Sequence, residues 1–139
     1  MMLHVLPLRG LGPIRFGMAP DQVRAVVSQP FHSFMKAPTS EMPVDAFDSE
    51  CLHVLYGAPG LCEAIETWNT AARLEGRPVV GEPFNRISAW FETLDSEMEV
   101  DESGLTSRSL GIAVYAPSHE EDEASLVEGI FVFRDGYYD

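Results

Sequence analysis

The sequence predicts an α+β protein: two helix-plus-antiparallel-sheet pseudo-repeats packed as one domain over residues 1–139. Three observations predict this. Two short amphipathic segments each open on a glycine and a proline, Gly17 with Pro20 and Gly81 with Pro83. Each is followed by runs rich in β-branched and aromatic residues, separated by turn residues. The second half then repeats landmarks of the first in the same order. Tyr56 and Tyr115 each end a strand-like run, and Glu63-Ala64-Ile65 returns as Glu128-Gly129-Ile130. The offset is larger for the second pair because it grows in a loop, where insertions are tolerated. The pseudo-repeats span about 12–67 and 76–133, and two such units share one core when both helices cover one face of the strands.

The elements follow in order. "LHVLPL" and "PIRF" read as short strands around the turn "RGLG". Pro20 opens a helix, since its missing N–H is no loss at a first helical position. Val23, Val26 and Val27 make one apolar stripe, and Gln29-Pro30 ends the helix because the residue before proline is pushed out of helical geometry. "FHSFMK" is the next strand, and residues 37–50, rich in proline and acids, read as a loop. "CLHVLYG" and "LCEAIET" flank "GAPG" as a hairpin. "ARLEGRPVVG" reads as a strand or tight hairpin. A second helix starts at Pro83, with Phe84, Ile87, Trp90, Phe91 and Leu94 on a wide apolar face. "EMEVDES", "LGIAVYA" and "VEGIFVF" are strands, with the acidic loop "PSHEEDEAS" between the last two.

A length of 139 residues suits one domain that buries enough surface to need no covalent staple. The hydrophobic share of 45% and charged share of 22% exclude a disordered chain. No run approaches the ~18 apolar residues of a membrane helix, and "MMLHVLPLRG" lacks the layout of a secretory signal. Cys51 and Cys62 form neither a disulfide framework nor a zinc motif, so the expectation is a cytoplasmic protein with reduced thiols. The formal charge of −13 argues against nucleic acid or anionic membrane as ligand, because phosphate binding needs clustered Lys and Arg. It favours a basic protein partner.

No residue set announces a reaction. Cys51 and His53 would share a strand face, but at roughly 7 Å they are beyond hydrogen-bond reach. On a four-residue hairpin loop Cys62 faces Leu55 and Cys51 faces Glu66, with the sulfurs on the order of 13 Å apart, too far for a disulfide. The histidines show no metal-ligand spacing; His119 beside "EEDE" is the nearest approach to one. "RGLGP" lacks the Lys-Ser/Thr of a phosphate loop. The expectations are no catalytic residues, no cofactor and no metal.

The acids are one-sided. Residues 1–69 hold seven acids and four bases; residues 70–139 hold fifteen acids and five bases. The candidate partner-binding residues are Asp95, Glu97, Glu99, Asp101 and Glu102, and the loop cluster Glu120, Glu121, Asp122 and Glu123. On a strand Glu97, Glu99 and Asp101 would share one face, with Met98 and Val100 inward. A carboxylate row repels itself unless a cation offsets it. The bland alternative is a solvated edge that deters strand pairing. Trp68, Trp90 and the tail tyrosines are the aromatic anchors available to an interface, with Trp90 expected in the core.

The stretch "LGPIRFGMAPDQVRAVV", through Gly17, Met18, Val23 and Val27, resembles the entry motif of SmpA/OmlA-type domains. Their tandem form is similar to the β-lactamase-inhibitor-protein-like fold, whose two sheets make a concave binding surface. The resemblance implies protein binding without catalysis. Lipoprotein members also carry a signal and a lipidated cysteine, and neither is visible here. The leading expectation is therefore a small acidic immunity or inhibitor protein that caps a basic effector toxin. An envelope-assembly or structural module related to SmpA/OmlA domains is the alternative, and an enzyme with an unrecognised site is the third.

Overall fold

The computed structural model, which describes residues 1–40 and 42–139, is α+β: two helices on a mostly antiparallel sheet system. Strands β1 (Val5–Leu6), β2 (Gly10–Leu11) and β3 (Ile14–Arg15) form a small meander. Helix α1 (Pro20–Val27) follows, with Pro20 at its first position. The Ala19 N–H donates to Gln22 Oε1 at 2.9 Å, satisfying a donor at the helix start. The helix stops at Ser28, in left-handed geometry, just before the Pro30 signal. Val23 and Val27 are buried as expected, but Val26 is 39% exposed, so the apolar stripe is narrower than the spacing suggests.

Strands β4 (His32–Phe34), β5 (Val44–Phe47), β6 (Leu52–Gly57) and β7 (Leu61–Thr67) form a four-stranded antiparallel meander. Strand β5 and a short 3-10 turn (Asp48–Glu50) lie inside the predicted loop of 37–50. Glu41, in the same loop, lies outside the described residues. A small hairpin, β8 (Arg73–Leu74) and β9 (Arg77–Pro78), leads to α2 (Phe84–Leu94). Phe84, Ile87 and Phe91 are buried there, and Trp90 packs half-buried under the Arg77 guanidinium at 4.0 Å. A second meander completes the chain: β10 (Glu99–Asp101), β11 (Gly104–Ser107), β12 (Ile112–Tyr115) and β13 (Gly129–Phe133).

The two meanders join through their last strands into one eight-stranded sheet, ordered β10-β11-β12-β13-β7-β6-β5-β4. At the seam Ile130 faces Thr67 and Val132 faces Ile65. Of the repeated landmarks, Ile65 and Ile130 are both core residues on the helix-covered face. Tyr56 and Tyr115 are not equivalent: Tyr56 is buried on that face, and Tyr115 is 51% exposed on the other. Register shows why. Leu55 faces Ala64, while Tyr115 faces Gly129, the counterpart of Ala64 in the repeated Glu-x-Ile; Tyr115 therefore corresponds to Leu55.

One core fills the space between the helices and the sheet, with Val54, Ile65, Ile112, Val114 and Val132 against Val23, Phe84 and Phe91. Phe47 and Phe91 are both fully buried, and each contributes roughly 1.5–3 kcal/mol through apolar surface removed from water. The opposite face carries no helix. Its alternate residues run as a rung across the sheet: His53, Glu66, Phe131, Ala113, Thr106 and Glu99.

Candidate functional site: the uncovered sheet face

A groove of ≈ 570 Å³ lies on the uncovered face, over β11, β12, β13 and the end of β7. Trp68, Tyr115 and Phe131 are its aromatic walls, Tyr138 from the tail borders it, and Lys36, Glu66, Glu128, Ser103 and Thr106 supply polar groups. The alternation of β12 and β13 places these residues. Ile112 and Val114 point to the core, so Ala113 and Tyr115 point away; Ile130 and Val132 point in, so Gly129 and Phe131 point out. That phase was readable in "IAVY" and "GIFVF", and would have identified Tyr115 and Phe131 as face residues. They, with Lys36, Glu66 and Glu128, are absent from the sequence-derived site.

Charge in the groove is partly paired. Lys36 Nζ lies 3.3 Å from both Glu66 carboxylate oxygens, and Glu66 Oε1 meets His53 Nδ1 at 2.7 Å. The His53 ring is held edge-on by Trp68 at 4.8 Å and Phe34 at 5.3 Å. Trp68 is thereby fixed in orientation although 41% exposed. Tyr137 packs on Phe131 at 5.6 Å, and Tyr138 meets Phe133 edge-on at 5.0 Å, so the tail tyrosines extend the aromatic surface.

The structure separates the acids that the sequence grouped. Glu99 and Asp101 alternate on β10 and lie on the uncovered face, opposite Thr106 and Gly104. Glu97 precedes the strand, in a turn where its N–H donates to Asp95 Oδ1 at 3.0 Å, so the expected row of three holds only two. Val100 points to the helix-covered side as expected, opposite Leu105, but is 52% exposed because β10 is the sheet edge. Asp95 also accepts from Ser107 Oγ at 2.7 Å, and that bond is the main reason its carboxyl titrates below the ordinary range. Asp101 Oδ1 accepts from Ser103 N–H and Oγ and from Gly104 N–H, closing the β10–β11 turn; its pKa is lowered, chiefly by Ser103. These two acids are turn-forming groups. Glu102 is exposed at the same turn.

The second cluster lies elsewhere. Glu120 and Glu123 border a hollow on the helix side with Phe84, Asn85, Glu92 and Val100. The carbonyls of Ser125 and Glu123 accept the Phe84 and Asn85 N–H groups, so this loop caps the start of α2. Carboxylates there are favoured by the positive end of the helix. Glu121 and Asp122 are exposed beside them. His119, buried at 8% exposure, stacks on Phe84 at 4.4 Å and bonds the Asp101 carbonyl through Nε2. It is a packing residue tying the loop to the β10–β11 turn.

Beneath the face sits a polar network that has no local signal in the chain. Asp45, fully buried, accepts a two-pronged ion pair from Arg24 of α1, at 2.9 and 3.0 Å. Ser33 Oγ donates to it at 2.7 Å and Tyr56 Oη at 2.8 Å. Burial pushes the Asp45 carboxyl up, but the bonds from Arg24, Ser33 and Tyr56 outweigh it, and the net pKa lies below the ordinary value. Burial, then the neighbouring carboxylate, raises Tyr56.

The thiols differ from the expected hairpin. Gly57 pairs with Leu61, leaving a three-residue loop, and a bulge follows between Leu55 and Tyr56. Cys62 consequently faces Tyr56 rather than Leu55, and Glu66 faces His53 rather than Cys51. Cys51 is not on a strand; it caps the 3-10 turn in left-handed geometry. Both cysteines are free, with Cys51 half-buried and Cys62 buried, and burial pushes the Cys62 thiol up to about 12. A disulfide-exchange reagent at pH 8 should therefore modify Cys51 and leave Cys62 unreacted until denaturant is added. Equal rates for the two thiols in the native protein would contradict this placement.

Among the described residues no three His, Cys, Asp or Glu side chains gather as a metal site. No described helix is long and apolar enough to cross a membrane. No family model matches the chain, and no curated protein matches it. A solved structure of the uncharacterized protein yfeY from Escherichia coli is similar in fold, with a TM-score of 0.59 and 13% sequence identity. The likeness covers 96% of this chain and 100% of that one. At this identity it concerns the fold alone.

Proposed function

We propose that this protein is a protein-binding module whose uncovered sheet face receives a basic partner, acting as an immunity or inhibitor protein for a basic effector toxin. The observation that carries the reading is the groove itself: aromatic walls on a sheet face without helical cover, in a chain of net charge −13. Exposed aromatic groups clustered in a concavity supply contact area, and acids around them set the sign of the partner. The two helix-plus-meander halves, joined at β7 and β13, fit the tandem, β-lactamase-inhibitor-protein-like arrangement that the entry motif suggests. Two free thiols fit a cytoplasmic setting. On this reading the sheet face makes the contact, while Glu97, Glu99 and Glu102 act at long range.

The test separates contact from steering. A tagged protein should capture a basic protein from its source cells as a defined complex. Phe131→Asp should abolish capture, whereas Glu120→Gln and Glu123→Gln on the helix side should leave it intact. The variant Glu97→Gln/Glu99→Gln/Glu102→Gln should slow association about threefold to tenfold at 0.1 M salt and leave dissociation nearly unchanged. The difference should fade by 1 M salt, where the screening length falls from ~10 Å to ~3 Å. Asp101 is left out because its carboxylate holds the turn. Capture indifferent to Phe131→Asp would overturn the assignment of the face. A captured partner from an outer-membrane assembly machine would favour the envelope-assembly reading.

A further inference from the structure

We infer that the groove holds a slot for one planar cation, the guanidinium of an arginine presented by the partner. The proposal rests on the uncovered face being the binding face, and it names what that face recognises. One rung of the sheet reads, from the edge inward, Asp101, Gly104, Tyr115 and Gly129, and Trp68 continues it beyond β13. Tyr115 and Trp68 stand on either side of Gly129, two strand spacings or roughly 9–10 Å apart at the backbone. A Cβ placed on Gly129 would lie 4.0 Å from the Trp68 Cβ and 3.2 Å from the Thr67 carbonyl oxygen. The glycine is thus the floor of a gap between two exposed aromatic side chains, and any larger residue would fill it.

A backbone gap of that width leaves room for one flat group between the two side chains. The surrounding charge selects its sign. Glu128 borders the groove beside Gly129, exposed, with no partner for its carboxylate among the described residues. Lys36, the cation in the groove, is already neutralised by Glu66. Trp68 is braced by His53, so the slot needs little ordering on binding. A guanidinium is flat, stacks between aromatic faces and pairs with a carboxylate through two N–H groups; an ammonium is a compact, strongly hydrated charge that can sit over a ring but neither stacks flat nor offers a fixed fork.

Acetylated tetra-arginine and tetra-lysine amides carry the same charge and serve as probes, followed by amide and indole shifts of the isotope-labelled full chain at 0.1 M salt. The arginine peptide should shift Gly129, Tyr115 and the Trp68 indole N–H, and bind about threefold to tenfold tighter than the lysine peptide. Trp68→Leu and Tyr115→Leu, made separately so that a misfolded variant leaves the other, should bring that ratio to about one. Glu128→Gln should weaken both peptides. If both peptides shift Gly129 with equal affinity, the slot is wrong and the uncovered face stands. If both shift only residues 118–123, or neither binds, the face and the slot fall together.

Discussion

Replacing Asp45 by Ala should destabilise the protein by about 2–4 kcal/mol, the cost of leaving the buried Tyr56 phenol without its acceptor and of losing the two-pronged bond to a partly exposed Arg24. The geometry puts the effect at the upper end of what one substitution does. The carboxylate is fully buried and takes four bonds, from Arg24, Ser33 and Tyr56, tying α1 to β4, β5 and β6. Removing it leaves the buried Tyr56 phenol without its acceptor, and leaves Arg24 with solvent and the longer contact to Asp21 at 3.8 Å. Against a total stability of roughly 5–15 kcal/mol, that is a large fraction of what holds the fold. The pH dependence has a definite sign. Because the folded-state pKa of Asp45 is lowered, its stabilisation is complete above the unfolded value, near 4, and is lost as pH falls through the depressed folded value. Chemical denaturation of wild type and Asp45→Asn should show a gap that is constant from pH 5 upward and narrows below pH 4. A gap under about 1 kcal/mol at pH 7 would mean that the network is dispensable.

Gly104→Ala is expected to be comparably severe. Gly104 has a φ of +149°, and a Cβ there would sit 1.8 Å from the Val114 carbonyl oxygen. The obstacle is backbone of the neighbouring strand, so relief requires β11 to move away from β12. Steric overlap and strained backbone each cost about 1–3 kcal/mol, and together they should remove about 2–5 kcal/mol. The loss should be local before it is global. Hydrogen exchange ought to rise first in β10, β11 and the turn closed by Asp101, and Tyr115 should lose its fixed place beside the groove. Thermal unfolding with exchange mapped by residue checks this, and a variant within 0.5 kcal/mol of wild type, roughly the scatter of a surface change, would contradict the clash.

These two residues also mark where reading the sequence succeeds and fails. Both helices were legible because a proline start and an apolar stripe are local signals. The long hairpin strands were legible from their alternation. Strand β5 was not. Its "VDAF" carries an acid at the centre and sits among prolines and acids, and Asp45 becomes tolerable there only through partners on α1, β4 and β6. Strand β11, "GLTS", is a short run of weak preference whose place is set by β10 and β12 on either side. The three-residue loop sets Cys62 against Tyr56, and the bulge beyond it, an added residue that no turn motif announces, then moves the partner of His53 to Glu66. For the site, the acids were visible but their roles were not uniform. "DESG" is ordinary turn chemistry, so the role of Asp101 could have been read from it, whereas the union of Trp68 with Tyr115 across Gly129 needs the seam between the halves.

That seam has a consequence for the order in which the molecule is made. Strand β7 ends at Thr67, and its seam partner β13 begins only at Gly129, with α2 and the other strands of the second meander in between. On a ribosome adding roughly 5–20 residues per second, the first meander is complete for several seconds before its neighbour exists. During that interval the outer edge of β7 is a row of unpaired backbone donors and acceptors, and Ile65 lacks Val132 across from it. The nascent first half is thus a template awaiting a specific strand. The residue that such an interval leaves on the uncovered face near the end of β7 is Glu66, a charge on the strand that any intruding chain would have to accommodate before β13 arrives and lays Phe131 across it.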